Sequence, residues 1–518
     1  MAATLHPVDL AVLFAYFAVV VAIGWWVARH TEDDEDLFLA GRSLGWGVIG
    51  ASLFASNISS TTLIGLTGSA YTHGIAVANY EWMAGLVLVV VAVVLVPVYL
   101  RTRVDTVPGW LELRFGRGAR LYFSAITIFL SIVVDTAGGL YAGALVFEAY
   151  LPSLQIWQTC LAIALFAGVY TAAGGLRAVV LTDVLQAVVL LVGSTCIAVY
   201  VFAAYDFSWT AVTEAVPYDK RSLIRPLDDP QLPWLGTLTG VPILGFWYWA
   251  TNQYITQRIL GARSEDHARW GATLGGFLKL LPLFVMVLPG AMAVVVLPEV
   301  DNADQVFPLL VGTLLPPGVT GLVLAGLVAA IMSSVDSTLN SASTLLVKDF
   351  GVGARHADEP GGLLGAGRWT TLALMAVAAA WAPMIASFPG LFTYLQQAFA
   401  IFVPPVVAIF LLGLFTHRGD GRVALTTLVA GHVLGVGFFA AAQAGVLHLH
   451  FTLVAGLATA LSAALFLALA RPRDDLAPDV AWRPDMAVPR PPGPWWRDYR
   501  TWAVASVVAT AVSVVAFW

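Results

Sequence analysis

Apolar residues come in windows of about 20, the length a helix needs to cross the hydrocarbon of a bilayer, and such windows recur along the whole chain. They predict spans near 8–28, 46–72, 75–100, 121–150, 155–173, 178–204 and 234–257 in the first half. The second half continues with 271–297, 311–346, 369–387, 391–415, 423–446, 449–470 and 500–517. The pattern is that of an all-α polytopic membrane protein with about fourteen transmembrane helices. No link between windows is long enough to fold as a soluble domain; the longest are 205–233, 347–368 and 471–499.

Polar residues interrupt this pattern in three places. The second window holds Ser56, Asn57, Ser59, Ser60, Thr61 and Thr62 between glycines, and the seventh holds Pro242 and Gly245, then Thr251, Asn252 and Gln253. If each opens a five-helix unit, the weak points correspond in two halves that run in opposite directions. That is the pattern of a transporter with inverted repeats and unwound helices at a midplane site. Small residues at close helix crossings are the plainer explanation for either break alone. The third interruption is the ninth window, LVLAGLVAAIMSSVDSTLNSASTLLVKD, where Ser333, Asp336, Ser337 and Asn340 fall on one helical stripe. Serines in a helix often bond back to their own backbone, but a carboxylate at that depth must be paired, protonated or cation-bound. Oxygen donors of this kind suit a hard cation.

Charge placement gives an orientation. With the N-terminus outside, 22 of the 26 Lys and Arg fall in inward loops and flanks, among them Arg114, Arg258 and Arg269. Only Lys220, Arg221 and Arg225 fall outside, and Lys279 lies within a span. Both termini are therefore expected outside. The first ten residues, MAATLHPVDL, lack the basic start of a cleaved signal, so the first window is expected to remain a span.

Composition agrees and narrows the function. The 518 residues are 59% hydrophobic and 11% charged, with mean hydropathy +0.82, far below the roughly one-quarter charged content of soluble domains. The net charge of −6 is spread over loops and names no partner. Cys160 and Cys196 lie in apolar runs and say nothing of redox compartment. There is no GxxxxGK[ST] loop, no HExxH or CxxC pattern and no extended basic domain. Nucleotide-driven pumping, enzymatic metal chemistry and nucleic-acid partners are not expected. Besides Asp336, the ionisable groups within or near spans are Glu81, Asp135, Asp183 and Lys279. They fit structural ion pairs, such as Lys279 with Asp135 or Glu81. They also fit a hydrophilic solute cavity that includes Gln396, with Tyr80, Tyr248 and Trp249 as flat walls.

At these residues the chain resembles the sodium/solute symporters, most closely the sodium/glucose cotransporter group. The segments that carry the resemblance are FLAGRSLGWGVIGASLFASNIS, GGLRAVVLTDVLQAVVLLVG, FWYWATNQYITQRILGAR, FLKLLPLFVMVLPG and AAIMSSVDSTLNSAST. The resemblance implies a five-plus-five inverted-repeat core with broken second and seventh spans, working by alternating access. It divides the chain into a peripheral 1–45, a first repeat 46–233, a second repeat 234–418 and three further spans in 419–518. It implies a main sodium site made by the carbonyls of Ala55, Ile58 and Ala330 with the hydroxyls of Ser333 and Ser334. A second sodium site would use Ser333, Asp183, Asp336 and Ser337, where Asp336 replaces a residue that is often Ser, Thr or Ala.

Of the sugar-binding positions, Tyr80, Glu81, Lys279, Gln396, Tyr248 and Trp249 match. Thr62 stands where sugar carriers often have Gln or His, Asp135 where they have Asn or Lys, and Ala84 and Gly245 where hydroxyl partners can sit. The implied function is sodium-coupled import of a small polar solute, a hexose or cyclitol, across the cell membrane. Another substrate of the same family (an amino acid, sialic acid or a carboxylate) is the alternative, and a sensor or channel is the reading from a different class. Sensors of this kind carry a signalling domain after the helices, whereas Thr501–Trp518 reads as one more span.

Overall fold

A backbone inside lipid must satisfy its own donors and acceptors, which leaves helices as the way an apolar chain of this kind crosses. A computed structural model describes residues 5–29, 38–150, 153–297, 299–353, 362–387, 391–486 and 494–517. Helix forms in each of the fourteen apolar windows. In the first half the principal helices are α1 (Pro7–Ala28), α2 (Trp46–Asn57), α3 (Ser60–His73), α4 (Ile75–Thr102), α5 (Val107–Phe115), α6 (Arg117–Glu148) and α7 (Ile156–Ala203). The second half begins with α8 (Trp234–Phe246), α9 (Gln253–Leu260), α10 (Glu265–Met292), α11 (Val306–Leu314) and α12 (Val319–Lys348). It ends with α13 (Leu363–Ser387), α14 (Leu391–Phe415), α15 (Gly421–Gln443), α16 (Phe451–Leu469) and α17 (Tyr499–Ala516).

Among the described residues, eleven helices are long and apolar enough to cross a membrane alone, and α2 with α3 forms a twelfth as a pair bent by 58°. Three departures from the expected spans have local causes. The windows 155–173 and 178–204 are joined in the 48-residue α7, because no proline in 156–203 removes a backbone donor. At 1.5 Å per residue α7 is roughly 72 Å long, more than one straight crossing needs. The ninth span begins at Val319 rather than 311, because Pro316, Pro317 and Gly318 (φ +89) end α11 and force a turn. The seventh span runs helically through Pro242 and breaks only at Asn252, whose backbone is extended (φ −70, ψ 125) after a widened turn at Trp247–Thr251.

α12 lies at the centre, 83% buried in its most apolar stretch, and packs along α7. α1 and α17 are peripheral, with Phe14 and Val515 about 70% exposed on faces suited to lipid. The cation Arg114, expected in a loop, is fully buried instead. Its guanidinium donates to the carbonyls of Gly413, Thr416, Arg418 and Gly419, at 2.7–3.2 Å. Those carbonyls belong to the end of α14 and its turn, where helical partners run out. Arg114→Leu should therefore lower unfolding free energy by about 2–4 kcal/mol, read as a lower thermal midpoint of the purified protein in detergent.

Candidate functional site

The site begins where α2 stops. In an unbroken helix the Ser59 N–H would bond the Ala55 carbonyl and the Thr62 N–H the Ile58 carbonyl. Here Ser59 N–H turns to Asn57 O (2.9 Å), and Thr62 N–H is capped by the Ser59 hydroxyl (3.2 Å). The carbonyls of Ala55 and Ile58 are thereby released from helical pairing. α12 passes beside the break: Ser334 Oγ donates to Ala330 O (3.0 Å) and reaches Ser56 O (3.5 Å), and Ser56 Oγ lies 3.4 Å from Ser333 Oγ. Ala55, Ile58, Ala330, Ser333 and Ser334 are all buried. The structure thus sets Ser333 and Ser334 of α12 against Ser56, in the turn that carries Ala55 and Ile58. Neutral oxygens from backbone and hydroxyl groups suit a hard cation that must also leave.

Of the residues expected at a second sodium site, Ser333, Asp183 and Ser337 converge, around a side chain that was assigned to an inward loop. Arg258 on α9 is fully buried and forms an ion pair with Asp183 on α7, Nη2 to Oδ2 2.9 Å. The same guanidinium donates to Ser337 Oγ (2.6 Å), Ser52 Oγ (2.6 Å), Ser56 Oγ and the Tyr254 carbonyl. Ser333 Oγ donates to the other Asp183 oxygen (2.5 Å). Asp183 and Ser337 are therefore arginine partners in this structure. Asp336 is fully buried on the same helix, and Tyr16 of α1 lies within electrostatic reach of both Asp336 and Asp183. Arg258 was missed because it falls one residue past the expected end of the seventh span, where a loop charge and a buried one look alike.

Next to this oxygen cluster is a cavity of about 130 Å³. Of the eight expected solute residues, Thr62, Tyr80, Glu81, Asp135, Tyr248, Trp249 and Gln396 line it, as do Ala84 and Gly245. Lys279 stands behind this wall, paired with Glu81 and donating to Asn57 Oδ1, with Nζ 5.3 Å from the Trp249 ring centre. Of the pairings weighed for Lys279, the one formed is with Glu81. Across the cavity, Asp135 Oδ2 accepts no hydrogen bond among the described residues. Ser334 and Thr338 of α12 also line the cavity, so it shares a wall with the oxygen cluster at the break. Tyr80 separates it from a wider cleft of about 640 Å³ bordered by His73, Asp229, Gln397 and His450.

Removing one partner of a buried pair leaves an unpaired charge, typically at a cost of about 3–5 kcal/mol. Lys279→Met should destabilise by that order, and Lys279→Met with Glu81→Leu by clearly less than the two single changes together. Denaturation of the three variants in detergent checks this.

The profile of the sodium:solute symporter family matches residues 37–431. The chain is 33% identical over 474 residues to sodium/glucose cotransporter 1 of Mus musculus, covering 83% of this chain and 71% of that protein. It is 34% identical over 472 residues to sodium/myo-inositol cotransporter 2 of Oryctolagus cuniculus (83% and 70% covered). To the sodium/mannose cotransporter of Bos taurus it is 36% identical over 469 residues (83% and 78% covered). In structure it is similar to a Na+-coupled sialic acid symporter, with TM-score 0.78 and 20% identity over 90% of this chain and 99% of that one. A nucleobase-cation-symport-1 family transporter follows at TM-score 0.56 and 15% identity (83% and 94% covered). These likenesses establish the five-plus-five transporter fold, and with the profile match and the relatives' identity they place the chain in the sodium:solute symporter family.

Proposed function

We propose that this protein imports a neutral polyol, a hexose or cyclitol, together with sodium across the cell membrane, with both termini outside. The observation that carries the reading is the shared wall: Ser334 belongs both to the oxygen cluster at the α2 break and to the solute cavity. In this reading sodium binds the carbonyls of Ala55, Ile58 and Ala330 and the hydroxyls of Ser333 and Ser334, holding the broken helix against α12. The solute then binds among Glu81, Asp135 and Gln396, whose carboxylate and amide oxygens accept from hydroxyls, while Tyr80, Tyr248 and Trp249 cover its apolar faces. Thr62 completes the wall, and Lys279 acts from behind by fixing Glu81. The repeats 46–233 and 234–418 rock about this site, and 1–45 and 419–518 flank them.

Asp135 favours a neutral polyol over sialic acid or another carboxylate, because an anion would face an acid whose buried Oδ2 meets no donor among the described residues. The relatives named for glucose, myo-inositol and mannose transport support the same choice. Each sodium moving down the membrane potential contributes about 2.3 kcal/mol per 100 mV.

Proteoliposomes should accumulate labelled D-glucose or myo-inositol when sodium is outside and lose that uptake when choline replaces it. Uptake that is indifferent to the swap overturns the reading. Ser333→Ala with Ser334→Ala should raise the sodium concentration for half-maximal uptake about tenfold or more, the effect of losing ~1.4 kcal/mol of binding.

A further inference from the structure

Beside the sodium position the structure holds a cation of its own, and we propose that Arg258 takes the place of a second sodium, so that the carrier moves one sodium per solute. The inference rests on the sodium-symport reading and adds its stoichiometry. The residues expected to hold a second ion are Asp183, Asp336, Ser333 and Ser337, and Ser56 Oγ lies among them, 3.1 Å from both Asp183 Oδ2 and Ser337 Oγ. Arg258 Nη2 already lies 2.9 Å from Asp183 Oδ2 and 2.6 Å from Ser337 Oγ, and it also donates to Ser56. A hard cation of this size requires oxygens at about 2.3–2.6 Å on several sides. The guanidinium fills that space, and the two cations exclude each other.

Charge argues the same way. The single negative charge of Asp183 is met by the single positive charge of Arg258, and both side chains are wholly buried. A sodium ion brought to this carboxylate would stand beside an unscreened guanidinium in a medium of low dielectric. The arginine is also firmly held. Nε donates to Ser52 (2.6 Å) on α2 and a terminal nitrogen to Tyr254 O on its own helix, so the head is fixed from opposite sides. Of the main sodium position only Ser333 enters this clasp, through its bond to Asp183; Ser334 and the carbonyls released at the break take no part in it.

Equilibrium binding of radioactive sodium to the full-length protein in detergent tests the count without knowledge of the solute. Binding should saturate at one ion per polypeptide and weaken about tenfold or more in Ser333→Ala/Ser334→Ala. Saturation at two ions, including a second ion drawn by Asp336, overturns the proposal. No sodium binding at all overturns the symport reading beneath it, so the two failures are distinct. Arg258→Gln, which leaves Asp183 free, should bind two ions per polypeptide; a folded variant that still binds one overturns the role given to Arg258. If that variant does not fold, the count on the unaltered protein decides alone. A flux measurement gives an independent value: at zero membrane potential a tenfold sodium gradient should hold about a tenfold D-glucose or myo-inositol gradient, and a hundredfold gradient overturns the proposal.

Discussion

A helix that breaks inside hydrocarbon leaves carbonyls and amides with no water to meet them, and the rest of this structure follows from how that is resolved. At the α2 break the amides find partners at once, through Asn57 O and the Ser59 hydroxyl. The carbonyls of Ala55 and Ile58 do not regain helical donors. Such a break is tolerated where it is buried in protein or lines a cavity, and the hydroxyl stripe of α12 closes the other side. The second break follows the same logic. Asn252 N–H returns to Trp247 O (2.8 Å), and Tyr99 Oη donates to Ala250 O (2.9 Å).

The buried charges are organised around the first break. Lys279 on α10 reaches Asn57, and Arg258 on α9 reaches Ser52 and Ser56. Both come from the second repeat and both are anchored by an acid, Glu81 and Asp183, from the first. Buried pairs of this sort contribute little net stability, since desolvation offsets most of the attraction. Their value here is geometric: two fixed cations hold one half-helix from different sides, so its free oxygens face the site rather than each other.

Periodicity and residue type made much of this legible. Uninterrupted apolar windows locate helices because lipid permits few alternatives. The polar run at Ser56–Thr62 points to a break because a matching run, Thr251–Gln253, falls at the corresponding place in the second half. The residues expected around a solute line one cavity, except Lys279, which stands one layer behind it and reaches it through Glu81. What stayed hidden depended on contacts distant in sequence. Arg258 and Asp183 are separated by 75 positions, and Arg114 meets carbonyls some 300 positions away. Charge counting put both arginines in loops because their burial comes from tertiary packing, which no local pattern records. The joining of two windows into α7 was hidden for the opposite reason: glycines 174 and 175 suggest a loop, yet without proline nothing compels one.

In the function proposed above, coupling between sodium and solute would reduce to a few neighbouring backbone positions. Ala55 and Ile58 would bind the ion, and Asn57 between them receives Lys279, which in turn fixes Glu81 in the solute wall. An ion that orders residues 55–58 therefore also orders the acceptor for Lys279, and with it the orientation of Glu81. Because binding linkage is reciprocal, a solute that engages Glu81 tightens the same segment for sodium by the same factor, typically about 5–150-fold for coupled sites. No long path is required. The segment that lost its helical bonds is short enough that one ion and one side-chain amine determine its shape together, and that shape is what the solute reads.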